Sequence, residues 1–185
     1  SLSSFKTERL AAEALYGPLK TRFRAKATPA FLRQLELALF AAKICAYAQG
    51  FAVMEAASKE FSWNLPMATI AKIWRAGCII RSQFLDTIAG SYKKKDKPVN
   101  LLAAPQFVKM MKQGNGPLRK TVALAAEAGI PVPALSSALS YFDSYRQGRG
   151  VANLIQAQRD FFGAHGFERI DGGEGQHGPW GSGAA

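Results

Sequence analysis

Apolar residues return at every third or fourth position along almost the whole chain, and no stretch alternates apolar with polar residues as a half-buried strand would. This patterning predicts an all-α fold, a multi-helix bundle. An amphipathic segment runs from Leu2 to about Leu15 and stops at Gly17-Pro18. Thr28-Pro29 supplies an N-cap and a first-turn proline for the next helix. Leu32, Leu35, Leu39, Ala42, Ala46, Phe51, Val53 and Met54 carry that helix to about Glu60 as the spine of the bundle. Asn64-Leu-Pro66 is expected to cap a shorter helix through Trp74, with Gly77 ending it and Ile79 opening another to about Tyr92. Leu101-Leu102 and Gln106 to Lys112 read as short helices, and Gly114-Asn-Gly-Pro117 as a break before a helix from Leu118 to Ala128. Gly129 fits a left-handed stop, with Pro131 and Pro133 preventing continuation. Ser136 to Arg146 and a helix that breaks at Gly163 complete the set, and their Leu-Tyr-Phe and Leu-Phe-Phe faces are expected to pack together.

From Asp171 onward glycine dominates, and too little apolar surface remains to fold independently. The expected division is a helical domain over 1–170 and an extended C-terminal Gly-rich tail over 171–185. Trp180 is the tail's large anchor and suits docking into a groove; without one, the tail is a disordered terminus. At 185 residues and 48% apolar content, the remainder fits one domain. There is no run of about 18 uninterrupted apolar residues and no secretory-signal pattern at Ser-Leu-Ser-Ser-Phe-Lys, so a membrane partner is not expected. Cys45 and Cys78 lie inside apolar helical patterns and read as reduced core residues, which suits a cytoplasmic location. His165 and His177 are the only histidines, and no metal-ligand quartet surrounds them.

The formal net charge of +11 admits nucleic acid, lipid headgroups or a small anion as partner. Much of the excess lies in Lys20 to Lys26 and Lys93 to Lys97, which read as solvated loops. Basic residues are not laid along one helix face and no RNA-binding or zinc-finger signature is present, so a nucleic-acid partner is not expected.

The sharpest candidate chemistry lies in Ala152-Asn-Leu-Ile-Gln-Ala-Gln-Arg-Asp-Phe-Phe-Gly-Ala-His165. Leu154, Ile155, Phe161 and Phe162 form an apolar face that is expected to be buried, with Arg159 on its flank and His165 just beyond the helix stop. A guanidinium there can bind an anionic oxygen bidentately, and an imidazole can add another hydrogen bond. The plainer alternatives are an arginine paired with a carboxylate and a histidine capping backbone carbonyls.

That run resembles 6-phosphogluconate dehydrogenase. The likeness continues, in the family's order, through Ala46-Tyr-Ala-Gln-Gly-Phe51, Lys59-Glu-Phe-Ser-Trp-Asn-Leu65, Ile73-Trp-Arg-Ala-Gly-Cys-Ile-Ile-Arg81, Ala128-Gly-Ile-Pro-Val-Pro133 and Tyr141-Phe-Asp-Ser-Tyr145. It covers Ser1 to about Ile170 and implies the later half of the family's C-terminal helical domain. The family oxidises the 3-hydroxyl of 6-phosphogluconate with NADP, releases carbon dioxide and forms ribulose 5-phosphate, in the pentose phosphate pathway. The resemblance places the NADP-binding domain, the catalytic lysine and the catalytic glutamate outside this chain, so no catalytic residue is expected here and the segment alone is expected to be inactive. Arg159 and His165 become substrate ligands that reach into the partner subunit's active site in a homodimer, and the tail is expected to thread across that partner.

Some positions depart from the family pattern. Gly150-Val151 stands where Leu-Pro is common, Gly166 where threonine is, and Gln176-His-Gly-Pro-Trp180 only approximates Phe-His-Thr-x-Trp. Tyr47, Gln49, Arg75 and Arg81 match strong blocks and are assigned to core and interface packing. The alternative reading is a non-catalytic helical binding or dimerisation module on the same fold.

Overall fold

The computed structural model describes residues 2–18, 26–77, 79–93, 97–173 and 175–180. Cys78 and most of the two basic runs lie outside these residues. The described elements are α1 (Lys6–Tyr16), α2 (Pro29–Glu60), α3 (Met67–Trp74), α4 (Phe84–Tyr92), α5 (Pro105–Glu127), α6 (Pro133–Tyr145) and α7 (Asn153–Gly163), with 3-10 turns at Leu2–Ser4 and Leu101–Ala103. Among the described residues the only β pairing is an isolated bridge between Phe167 and Gln176. The chain divides into two compact units at Phe142 and Asp143.

In the first unit α2 is the spine. It starts where Thr28 accepts the Phe31 amide on its hydroxyl at 3.2 Å, with Pro29 in the first turn. Its length and apolar composition match those of a membrane-crossing helix, yet here it is the helix around which the core assembles, burying Ala38, Ala41, Cys45, Ala48 and Phe51. Phe51 stacks on Tyr92 at 5.4 Å and meets Trp74 edge-on at 5.6 Å, while Phe84 meets Phe40 and Phe107 at 5.4 Å each. Cys45 is a free thiol with no exposure, and burial pushes its pKa up to about 11.

Three local expectations are corrected. Gly114-Asn-Gly-Pro117 does not break the chain, because α5 runs unbroken from Pro105 to Glu127 with Pro117 inside it. Its buried face, Phe107, Met111, Gly114, Leu118, Thr121 and Ala125, keeps a four-three spacing straight through the proline. An interior proline costs about 3 kcal/mol of helix stability, and packing along this face against alanine-rich α2 offsets it. Asn64 does not cap α3; it adopts φ 53 and donates to the Ser62 carbonyl, and the helix begins after Pro66 without a side-chain cap.

Ile79 to Gln83 is not helical. The Tyr47 hydroxyl donates to the Ile80 carbonyl at 2.8 Å and the Phe84 amide donates to the Ser82 hydroxyl at 3.3 Å. Side chains therefore take the two backbone groups that a helical turn would have joined. Arg75 bonds Asp86 at 2.8 Å across the same connection, and Gln49 turns back to the Cys45 carbonyl. Tyr47, Gln49 and Arg75 are thus engaged within the fold, while Arg81 is exposed.

Candidate functional site

The second unit is built on α7. Its apolar face is not buried as expected: Leu154, Ile155, Phe161 and Phe162 are all exposed, Phe162 at 81%. Leu135, Tyr141 and Phe142 of α6 pack against the core of the first unit. The helix also ends one residue later than expected. Ala164, not Gly163, takes the left-handed conformation at φ 48, and its amide closes the helix on the Asp160 carbonyl at 2.8 Å.

The one buried residue of α7 is Asp160, with a fully buried side chain. Its Oδ1 accepts from the Gly166 amide at 2.9 Å and lies 2.6 Å from His177 Nδ1, while its Oδ2 accepts from the Gly178 amide at 2.8 Å and the Trp180 indole at 2.6 Å. Phe167 and Gln176 exchange both backbone hydrogen bonds, and the Trp180 ring meets Phe161 edge-on at 5.8 Å. The described end of the tail is thereby closed back onto its own α7, where Trp180 meets Asp160 and Phe161 of the same chain. Burial works against the Asp160 charge, but the Gly178 amide, the Trp180 indole, His177 and the Gly166 amide together hold its carboxyl well below the usual carboxylate range.

A testable pH dependence follows. A carboxyl depressed in the folded state contributes stability that is complete above its unfolded pKa of about 3.9 and declines as pH falls towards the folded value. Acid titration should therefore loosen the tail progressively as pH falls below about 4. This should appear as faster hydrogen exchange at the Gly178 amide and the Trp180 indole before α2 is affected. Exchange that stays flat down to the global acid transition would contradict it.

The same clasp decides what remains for Arg159 and His165. Asp160 is next to Arg159 in the chain, yet its oxygens are occupied by donors from residues 166–180. Among the described residues the exposed Arg159 guanidinium reaches only Gln156 Oε1, at 3.4 Å, and meets no carboxylate. The exposed His165 ring lies over Gly163, where a Cβ would come within 2.8 Å of Nε2. No hydrogen bond engages that ring among the described residues, so it caps no carbonyl. Among the described residues no hydrogen bond joins Arg159 to His165 either; both are exposed towards the C-terminal end of α7. Among the described residues no group of three or more His, Cys, Asp or Glu side chains is arranged to hold a metal ion.

Sequence reasoning missed Asp160. The available signal was an acid inside an otherwise largely apolar and amide-rich helix, followed by a glycine-rich tail that brings backbone amides, His177 and the Trp180 indole as donors.

Residues 1–180 match the model of the 6-phosphogluconate dehydrogenase C-terminal domain. The chain belongs to the 6-phosphogluconate dehydrogenase family. Decarboxylating 6-phosphogluconate dehydrogenase of Lactococcus lactis IL1403 is 47% identical over 171 residues, and that of Escherichia coli K12 is 48% identical over 171. In each case the match covers 92% of this chain but only 36% of the relative. A solved 6-phosphogluconate dehydrogenase of Plasmodium falciparum, studied in apo form and in complex with its cofactor NADP+ and its substrate 6-phosphogluconate, superposes with a TM-score of 0.88. It is 37% identical, and the superposition covers 97% of this chain and 38% of that one. The all-helical fold is therefore that of the C-terminal domain of the 6-phosphogluconate dehydrogenase family.

Proposed function

We propose that this chain is the C-terminal segment of a cytoplasmic, NADP-dependent decarboxylating 6-phosphogluconate dehydrogenase, in which it supplies Arg159 and His165 as ligands of the substrate's phosphate and neighbouring hydroxyls. The observation that carries this reading is a cation and an imidazole at one helix end, both exposed and neither paired with a carboxylate or carbonyl among the described residues, in a chain of this family. A guanidinium fork matches two phosphate oxygens, and the imidazole adds a directional bond. The exposed apolar face of α7 suits cover by a second copy, which would bring the pair into that copy's active site as a homodimer.

In the reaction, the substrate's 3-hydroxyl would lose its proton to a lysine while carbon 3 loses its own hydrogen as hydride; the resulting β-keto acid then loses carbon dioxide, and the enediol is protonated to ribulose 5-phosphate. NADP is the hydride acceptor. On this reading the lysine, the glutamate and the Gly-rich turn for NADP belong to the part of the enzyme that this chain does not span. The work of this segment is orientation: holding the phosphate end fixes the position of carbon 3 and turns remote binding energy into alignment.

The test is a chimaera in which residues 1–185 replace the matching segment of the Escherichia coli relative. It should form NADPH from 6-phosphogluconate, whereas this chain alone should form none. A folded, dimeric chimaera without turnover would remove the catalytic reading and leave a helical assembly module.

A further inference from the structure

Arg159 and His165 can act only if the chain presents them in one arrangement, and both are exposed at the end of a helix that is itself largely exposed. His165 lies between two residues in the left-handed region, Ala164 at φ 48 and Gly166 at φ 68. Such a turn is soft unless its backbone groups are tied. Here both neighbours are tied to one residue: the Ala164 amide bonds the Asp160 carbonyl at 2.8 Å, and the Gly166 amide bonds Asp160 Oδ1 at 2.9 Å. Asp160 thus brackets His165 with its main chain on one side and its side chain on the other.

The other contacts of the carboxylate extend the bracket. His177, Gly178 and Trp180 bring the returning tail against the same helix end. Four donors converge on two oxygens, and only an acceptor-only group serves them all. An asparagine in either flip would point its NH2 at one pair of donors. Filling those oxygens also prevents Asp160 from neutralising Arg159, its neighbour in the chain.

We infer that Asp160 is a positioning residue for the phosphate end of the substrate: it sets the His165 turn, locks the tail behind it and leaves Arg159 uncompensated. This rests on the assignment of Arg159 and His165 as phosphate ligands, and it adds the residue that arranges them.

The experiment uses the active, dimeric chimaera. Asp160→Asn should raise KM for 6-phosphogluconate about tenfold, leave KM for NADP unchanged, and lower the kcat/KM preference for 6-phosphogluconate over gluconate. A merely structural role would lower thermal stability, or depress both sugar acids alike, with that preference intact; either result overturns the inference. If Asp160→Asn does not yield a folded dimer, Trp180→Phe carries the test. It keeps an aromatic ring but removes one donor, and it should raise KM for 6-phosphogluconate about threefold; an unchanged KM would overturn the inference. Arg159→Ala in the same assay separates two failures. If it leaves KM unchanged, the phosphate assignment itself fails. If it raises KM while Asp160→Asn does not, only the positioning role fails.

Discussion

Replacing Gly114 by valine should destabilise the chain by about 3 kcal/mol, although helix propensity alone predicts a slight gain. A Cβ at position 114 would lie 2.7 Å from the Ala41 Cβ and 3.1 Å from the Leu37 carbonyl oxygen, both on α2. Neither neighbour is the far end of a flexible side chain, so α2 and α5 would have to separate along a face that buries Phe107, Met111 and Leu118. Dispersion contacts across that face would be lost over its whole length. Gly50→Ala is the control: it too is a helical glycine, in α2, but nothing lies within 4 Å of its added Cβ, so it should stabilise by about 0.5–1 kcal/mol. Urea unfolding of the two variants reads the difference directly. Equal shifts of the same sign would show that the helices do not meet at Gly114.

Gly114 also shows where sequence reading stops. A glycine followed by Asn-Gly-Pro is local punctuation on one-dimensional grounds, whereas its role here is a contact with a helix more than seventy residues earlier, a long-range fact. The four-three spacing from Phe107 to Ala125 was the legible counter-signal, and it outranks the breaker residues because burial along a whole face outweighs one missing amide. By contrast α2 was legible from end to end. Thr28-Pro29 marks its start locally, and its apolar period persists over 32 residues. Ile79 to Gln83 was not legible, since the Tyr47 hydroxyl that claims the Ile80 carbonyl comes from another helix.

At the candidate site the division is similar. Arg159 and His165 stand out through a literal run of residues and through the donor chemistry that the run offers. Trp180 was legible as an anchor, but its receptor was not, because Asp160 finds its partners 6 to 20 positions further along the chain. The exposed apolar face of α7 was misplaced for a related reason. Amphipathic periodicity states that a face is to be covered, and not which chain covers it.

Arg159→Ala in the assembled enzyme should raise KM for 6-phosphogluconate about ten- to a hundredfold, with the fold intact and KM for NADP unchanged. The magnitude follows from removing hydrogen bonds to a charged group, worth about 1.5–3 kcal/mol, at about 1.4 kcal/mol per factor of ten. The fold should survive because the guanidinium is exposed and, among the described residues, reaches only Gln156 Oε1, at 3.4 Å. Arg159→Lys should recover part of the loss and not all of it, since an ammonium keeps the charge but cannot match two phosphate oxygens with a planar fork. The loss should shrink for gluconate, which lacks the phosphate, so the ratio of kcat/KM values for the two sugar acids is the decisive quantity. If alanine and lysine variants fell equally on both substrates, the guanidinium would be acting on something other than phosphate. If neither variant changed KM, the open cation at the end of α7 would belong to solvent, and the assignment of this helix end as a substrate site would fall with it.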